Sequence, residues 1–371
     1  MKIGIITWFN GGNYGTNLQA IALQSYLRSN GYSVELIDFE IDVQRKEKRT
    51  LLAKILSQPL KYATKYAEKK YYTQIQTRYN RMASEVRENC MFTKVVMNEQ
   101  DYIDTCNQFD VLICGSDQIW NPNWYHRFYY ADYDQIKAKR ISYAPSLGVN
   151  VLREEQKEDL ARSLSKFDAI SVREYRGANL IKPLVKSKPK VVVDPTLLLT
   201  AKAWDELFSI ETLPGEKYIL SMFLTDNHSH WCAARAFAKS KSMKHIVIPY
   251  CGFSYFQNAE IKADASVRDF LKLIRGAEYV LTDSFHVTVF SLIYKRQFYT
   301  FERFVENEFT SQNERIRNIL EISSCQERLI LYGTKKIEEK EDIDYMVTGR
   351  CLTDEIERSK QFLSQALEDF K

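Results

Sequence analysis

Short apolar runs alternate with amphipathic stretches along most of the chain, a rhythm that predicts strands followed by helices. Lys2 to Thr7 (KIGIIT) reads as a first strand, followed by a glycine turn and an amphipathic helix over Asn17 to Asn30 that stops before Gly31. Ser33 to Phe39 (SVELIDF), Phe109 to Cys114 (FDVLIC), Arg140 to Ala144 (RISYA), Ala169 to Val172 and Lys190 to Val193 predict further strands. Helices are expected over Glu154 to Ser165 and after Arg173. A second set begins near Gly215, with strands at Tyr218 to Leu224, His245 to Pro249, Tyr279 to Thr282 and Gln297 to Phe301. Its helices are expected at Trp231 to Ser240, Ser266 to Arg275, after Asp283-Ser284, at Arg315 to Ile322 and at Asp354 to Phe370.

Repeated βα order implies parallel, helix-covered sheets, so the expected class is α/β with two Rossmann-like domains facing a cleft. The expected division is an N-terminal domain over 1–200 with a helical insertion at 44–90, a C-terminal domain over 215–350, and a closing helix over 351–371. The hinge is expected between Asp194 and Pro214. Two lobes with strand-end loops facing each other suit a transferase that holds a donor in one half and an acceptor in the other.

Charge alters the picture in one place. The net charge is +4 over 371 residues, but Gln44 to Arg81 alone carries eleven basic residues against Glu47 and Glu68, so the remainder is acidic. A general nucleic-acid-binding surface is therefore not expected. The basic segment also holds Tyr62, Tyr66, Tyr71, Tyr72 and Tyr79, after Leu51, Leu52, Ile55, Leu56 and Leu60. Such helices suit either peripheral contact with an anionic membrane through 44–81 or a solvated face packed on the domain. No run approaches the ~18 apolar residues of a transmembrane helix, and the N-terminus is too short in apolar length for a secretory signal. Seven cysteines without a CxxC pair read as reduced thiols of a cytosolic protein with no zinc site.

Five stretches could carry chemistry. His286 falls in the first turn of a helix at the carboxyl end of a strand, where open α/β sheets bind ligands and where a helix N-terminus favours anions. It could equally cap or pack. Asn10 to Asn17 is glycine-rich and leads into the first helix, but it is neither GxGxxG nor a P-loop. Gly115-Ser116-Asp117-Gln118-Ile119-Trp120-Asn121-Pro122 offers hydroxyl partners and an indole face of the kind a sugar site uses, or else a turn with a core Trp. Arg173, just past a strand, could hold a carboxylate or phosphate, or pair locally with Glu174 or Asp194. Asp194-Pro195-Thr196 reads as a strand end at the hinge.

Five stretches in this order, Asn13-Tyr14-Gly15-Thr16-Asn17-Leu18-Gln19-Ala20, Gly115 to Pro122, Ser171-Val172-Arg173-Glu174, Val193-Asp194-Pro195-Thr196-Leu197 and Thr282-Asp283-Ser284-Phe285-His286, resemble the polysaccharide pyruvyl transferase family, from residue 1 to about residue 322. The resemblance implies a two-domain GT-B-like fold, with the acceptor on the N-terminal and the donor on the C-terminal side. It implies transfer of the enolpyruvyl unit of phosphoenolpyruvate to a sugar, giving a cyclic pyruvate ketal and phosphate, in a capsule, exopolysaccharide or cell-wall glycan pathway. Phosphoenolpyruvate enters as a substrate, and no other cofactor and no metal are implied. The acceptor is expected to be a lipid-linked glycan, handled in the cytoplasm at the inner face of the plasma membrane.

On that basis His286, Arg173 and Asp117 are the expected catalytic residues, with His286 matching the family histidine. Donor contacts are expected from Arg173, Arg176, Ser284, His286, Arg275 and Arg296, and acceptor contacts from Asn13, Tyr14, Asn17, Gln118, Trp120 and Asn121. The sequence departs from the family in one respect. Several members carry Arg-Leu immediately before the histidine, whereas this chain has Ser284-Phe285. Another basic residue takes that role, or the donor is different. A GT-B glycosyltransferase using a nucleotide sugar is the alternative.

Overall fold

The structure, a computed structural model, describes residues 1–9, 11–39, 58–211, 215–305 and 313–368. The first half contains β1 (Lys2–Ile6), α1 (Tyr14–Ser29), β2 (Ser33–Leu36), α2 (Gln58–Lys70), α3 (Tyr72–Asn89), α4 (Glu99–Cys106), β3 (Val111–Cys114), β4 (Lys139–Ser142), α5 (Glu154–Leu164), β5 (Ser171–Val172), α6 (Tyr175–Ile181) and β6 (Lys190–Val191). Helix α7 (Ala201–Phe208) leads into the second half. There follow β7 (Tyr218–Met222), α8 (His228–Lys241), β8 (Lys244–Val247), β9 (Glu260–Ile261), α9 (Val267–Gly276), β10 (Tyr279–Thr282), α10 (Phe285–Ile293), β11 (Gln297–Phe301), α11 (Asn313–Ile322), β12 (Leu329–Ile330) and α12 (Tyr345–Glu368).

Two parallel sheets result. The first runs β2-β1-β3-β4, and a parallel bridge between Ile141 and Ala169 brings the β5–β6 pair alongside. The second runs β12-β11-β10-β7-β8-β9. Both are covered by helices, which is why strands such as VLIC (β3) are buried at every position rather than alternating. In each sheet the strand order reverses beside the first strand: between β1 and β3 in one, and between β7 and β10 in the other. Loops leaving the carboxyl ends of those strands border a crevice suited to ligands.

Several elements differ from the sequence reading. The helices α4 and α7 and the short strands β9 and β12 have no clear apolar period and escaped it. Helix α12 begins at Tyr345, nine residues early, because Gly349 sits inside it instead of breaking it. The expected insertion contains α2 and α3, while residues 40–57, including Leu51, Leu52, Ile55 and Leu56, lie outside the described residues.

The halves are tied together by buried contacts. Tyr14 on α1 stacks on Phe270 of α9 at 4.6 Å and donates to the Ala265 carbonyl at 2.7 Å. Arg78 on α3 donates to the Pro249 carbonyl at 2.7 Å, Arg81 pairs with Asp269 at 2.8 Å, and Glu85 accepts from the Arg268 amide at 3.2 Å. Ser359 of α12 accepts from the Val193 amide at 2.9 Å, which anchors the closing helix to the first half.

Candidate functional site

The N-terminus of α1 is built by Asn13, whose Oδ1 accepts from the Gly15 and Thr16 amides at 3.0 and 3.3 Å. Gly15 then lies so close to the His286 ring that a Cβ there would sit 1.9 Å from Nδ1. Only glycine permits this approach between α1 and α10. The two strand-order reversals thus meet, one loop set from each sheet, with the imidazole between them.

The loop after β3 is fastened to the same helix. Thr16 Oγ1 donates to Asp117 Oδ2 at 2.6 Å, and Gln19 Oε1 accepts from the Ser116 amide at 3.0 Å. Asp117 itself adopts φ +62°, a left-handed conformation that Asp tolerates. Opposite stands Asp194, fully buried, whose Oδ1 accepts from the Thr196 amide and hydroxyl at 3.0 and 2.7 Å. Its Oδ2 meets Arg173 Nη1 at 2.6 Å and His286 Nε2 at 3.6 Å. Arg173 Nη2 lies 4.0 Å from Asp117 Oδ1. Its guanidinium covers the Phe285 ring at 4.5 Å, a cation–π contact. His286, Asp194, Arg173 and Asp117 therefore form one continuous buried polar chain.

Burial alone would raise the Asp194 carboxyl, but the His286 and Arg173 charges and the Thr196 amide outweigh it and hold the carboxyl well below the usual carboxylate range. Arg173 is pushed down by burial and up, more strongly, by Asp194, Asp117 and Glu174. Its Nε and Nη2 have no hydrogen-bond partner, nor does His286 Nε2 or the buried Asn17 Oδ1. These unfilled polar atoms are the kind that a ligand satisfies.

Two further arginines reach this region. Arg303, after β11, donates through Nη2 to the Asp283 carbonyl at 2.9 Å, just before the His286 turn. Arg315, in the first turn of α11, is buried. Desolvation and the like charges of Arg173 and Arg303 bring its guanidinium down to about 9. Asn313 joins their two segments, since its Oδ1 accepts from the Arg303 and Phe304 amides at 3.1 and 3.3 Å.

The structure gathers His286, Arg173, Asp117, Ser284, Asn13 and Asn17 about the crevice, but it places other expected residues elsewhere. Trp120 is fully buried, stacked on Tyr130 at 5.2 Å, and presents no face to a sugar. Tyr14 is spent on packing between the halves. Gln118 and Asn121 sit side by side, 3.5 Å apart, against Gly148. Arg176 points outward from α6. Arg275 pairs with Asp205 at 2.8 Å at the end of α9, and Arg296 donates to the Tyr294 and Ala277 carbonyls at 2.8 and 3.4 Å. Both lie at the amino ends of the strands, away from the crevice. Arg303 and Arg315 are the neighbouring charges that sequence reasoning missed, whereas Asp194 was expected only as a strand-end carboxylate or a local partner of Arg173, and it does pair with Arg173. For Asp194 the available signal was a carboxylate at a strand end; the two arginines gave none. Among the described residues there is no cluster of His, Cys, Asp and Glu fit to hold a metal.

The cavity beside Arg173, Asp194 and Phe285 holds about 20 Å³, room for roughly one water. A larger cavity of about 520 Å³ lies beneath the amino end of β7, lined by Tyr218, Gly276 and Arg275. Its position is at the wrong edge of the sheet for ligand binding, and Arg81 and Asp269 at its rim pair with each other.

A family model described as polysaccharide pyruvyl transferase matches residues 13–303. No curated protein sequence registers as a relative. Among solved structures, UDP-GlcNAc 2-epimerase from Methanocaldococcus jannaschii has a TM-score of 0.53 at 11% identity, over 96% of this chain and 93% of that one. The UDP-GlcNAc 2-epimerase of Neisseria meningitidis bound to UDP-GlcNAc gives 0.51 at 11%, over 99% and 94%. Arabidopsis thaliana UGT89C1 gives 0.51 at 9%, over 100% and 99%. At these identities the likeness shows the fold alone, a GT-B-like pair of α/β domains.

Proposed function

Because the chain belongs to the polysaccharide pyruvyl transferase family and is a transferase, we propose that it moves the enolpyruvyl unit of phosphoenolpyruvate onto two hydroxyls of a sugar in a lipid-linked polysaccharide precursor. The observation that carries this reading is the placement of His286 between the Arg173–Asp194 pair and the α1 turn, where both sheets deliver their ligand-binding loops. One sugar oxygen attacks C2 of the donor while C3 takes a proton and becomes the methyl. The second sugar oxygen then replaces phosphate at C2. Of the two hydroxyl protons, one ends on C3 and the other leaves with phosphate.

An imidazole suits that traffic because it titrates near neutrality. Asp194 faces Nε2 and would fix the proton there, leaving Nδ1 as the exchanging atom on the α1 side. Arg173, Arg303 and Arg315 supply the positive charge that a nearly trianionic donor needs. Arg303 and Arg315 thereby stand in for the arginine that this chain lacks two residues before the histidine. The close approach of Gly15 to the His286 ring leaves little room between α1 and α10, so a domain opening of the kind common to two-lobed transferases would admit the donor.

The test is a thermal-shift panel of phosphoenolpyruvate, UDP and GDP, followed by phosphate release from phosphoenolpyruvate with glycan acceptors. Stabilisation by phosphoenolpyruvate, and loss of release in His286→Gln, are expected. Stabilisation by UDP or GDP without any by phosphoenolpyruvate would overturn the reading in favour of a nucleotide-sugar glycosyltransferase.

A further inference from the structure

Helix α2 has two unlike faces. Inward, Ala67 is buried, and Thr64 packs so closely on Gly252 that a Cβ there would lie 2.6 Å from Oγ1. The helix is thereby locked onto the turn at Gly252–Phe256 in the second half. Outward, Tyr62, Lys65, Tyr66 and Lys69 follow one another at i, i+3, i+4 and i+7, the spacing of a single helical stripe. All four are exposed, Tyr62 and Tyr66 at 71% and 60%. Lys70 and Tyr72 extend the exposed patch. Phe256, itself exposed, lies 5.8 Å from the Tyr66 ring and adds a fully apolar side chain. Glu68 is the single acid among the described residues of α2.

A folded domain gains nothing by presenting four large rings to water, and repeated lysines between them do not suit a neutral protein partner. Tyrosines flanked by lysines match the boundary between headgroups and acyl chains: the ring bodies enter, and the hydroxyls and ammonium groups stay with water and lipid phosphate. We propose that this stripe, together with Phe256, docks the protein on an anionic lipid surface. Helix α3 continues from α2, and its Tyr79 lies against Gly12, whose Cβ position is 2.1 Å from the Tyr79 ring. Lipid contact needs neither donor nor sugar, so this inference stands or falls independently of the transfer reaction.

The test is co-sedimentation of the full chain with large unilamellar vesicles of phosphatidylcholine alone or with about a third phosphatidylglycerol. Binding is expected only to the anionic vesicles, weakening as salt is raised. Each lysine near such a surface contributes roughly fivefold to partitioning, so Lys65→Glu/Lys69→Glu/Lys70→Glu is expected to lower it by ~100-fold or more. Tyr62→Ser/Tyr66→Ser, which leaves the charge intact, is expected to reduce partitioning without changing its salt slope. Both variants should melt like the parent, since these side chains point outward. The proposal is overturned if the full chain stays in the supernatant with anionic vesicles at low salt, if the variants bind as the parent does, or if heparin is bound and vesicles are not.

Discussion

Replacing Gly15 by alanine tests whether the imidazole at 286 is a working group or a packed one. The added Cβ would lie 1.9 Å from Nδ1, 2.2 Å from Cγ and 2.6 Å from Cε1 of His286. Non-bonded contacts of this kind settle near 3.5 Å, so the ring must withdraw by ~1.5 Å or turn away. The backbone raises no objection, because Gly15 lies inside α1, where alanine is favoured over glycine by about 1 kcal/mol. Stability should therefore change little, with propensity gained against local repacking. Activity should change much more, since a misplacement of about 1 Å at a reacting group costs on the order of a hundredfold in rate. The expected result is a fall in kcat for phosphate release of ~100-fold in Gly15→Ala, with a Tm within a few degrees of the parent. Undiminished kcat in a folded Gly15→Ala protein would show that the position of this ring does not govern the chemistry.

Two other substitutions address the charges around that ring. Asp194→Asn leaves Arg173 buried without its carboxylate, and breaking a buried pair in this way costs about 3–5 kcal/mol, so a large drop in Tm is expected. The Asp194 carboxyl titrates below its unfolded value, so its stabilisation is complete above about pH 4 and is lost as pH falls toward the lower folded value. Tm should therefore fall more steeply between about pH 4 and pH 2 in the parent than in Asp194→Asn, and parallel curves would refute the assignment. Arg315→Met should raise the dissociation constant for phosphoenolpyruvate by ~10-fold or more in calorimetry, the worth of a charge-assisted hydrogen bond; an unchanged constant would exclude Arg315 from the donor site.

The fold was legible because parallel sheets are assembled from contiguous segments. Apolar runs such as YVLT and QFYTF coincide with β10 and β11 at both ends, and the strand–helix order alone required parallel pairing. The readings failed where tertiary contacts override local preference. Helix α7 is held by Trp204, whose indole donates to the Thr196 carbonyl at 3.2 Å, a partner eight residues away that no period reveals. Trp120 looked like a stacking platform because its neighbours are polar. Its ring instead finds Tyr130 and Phe167, and a residue of that size is buried whenever the fold leaves room.

The site divides along the same line. His286, Arg173 and Asp117 could be singled out because each directly follows a strand, and carboxyl-end loops converge in this class of fold. What position along the chain does not carry is which charges face one another. The missing arginine before His286 read as a lost anion contact, yet Phe285, which occupies its neighbouring place, supports the Arg173 guanidinium from below at 4.5 Å. Arg303 arrives from the end of the adjacent strand β11, and Arg315 comes from the next helix, drawn in through Asn313. A guanidinium can be supplied to one point in space from several places in the sequence, because the site constrains where the charge stands rather than which element carries it. Asp194 illustrates the converse. It was read as a hinge carboxylate or a local partner of Arg173, and the structure buries it between the Arg173 guanidinium at 2.6 Å and the His286 imidazole at 3.6 Å. Parting the two halves to admit a donor would stretch the His286–Asp194 contact, which spans 3.6 Å between them.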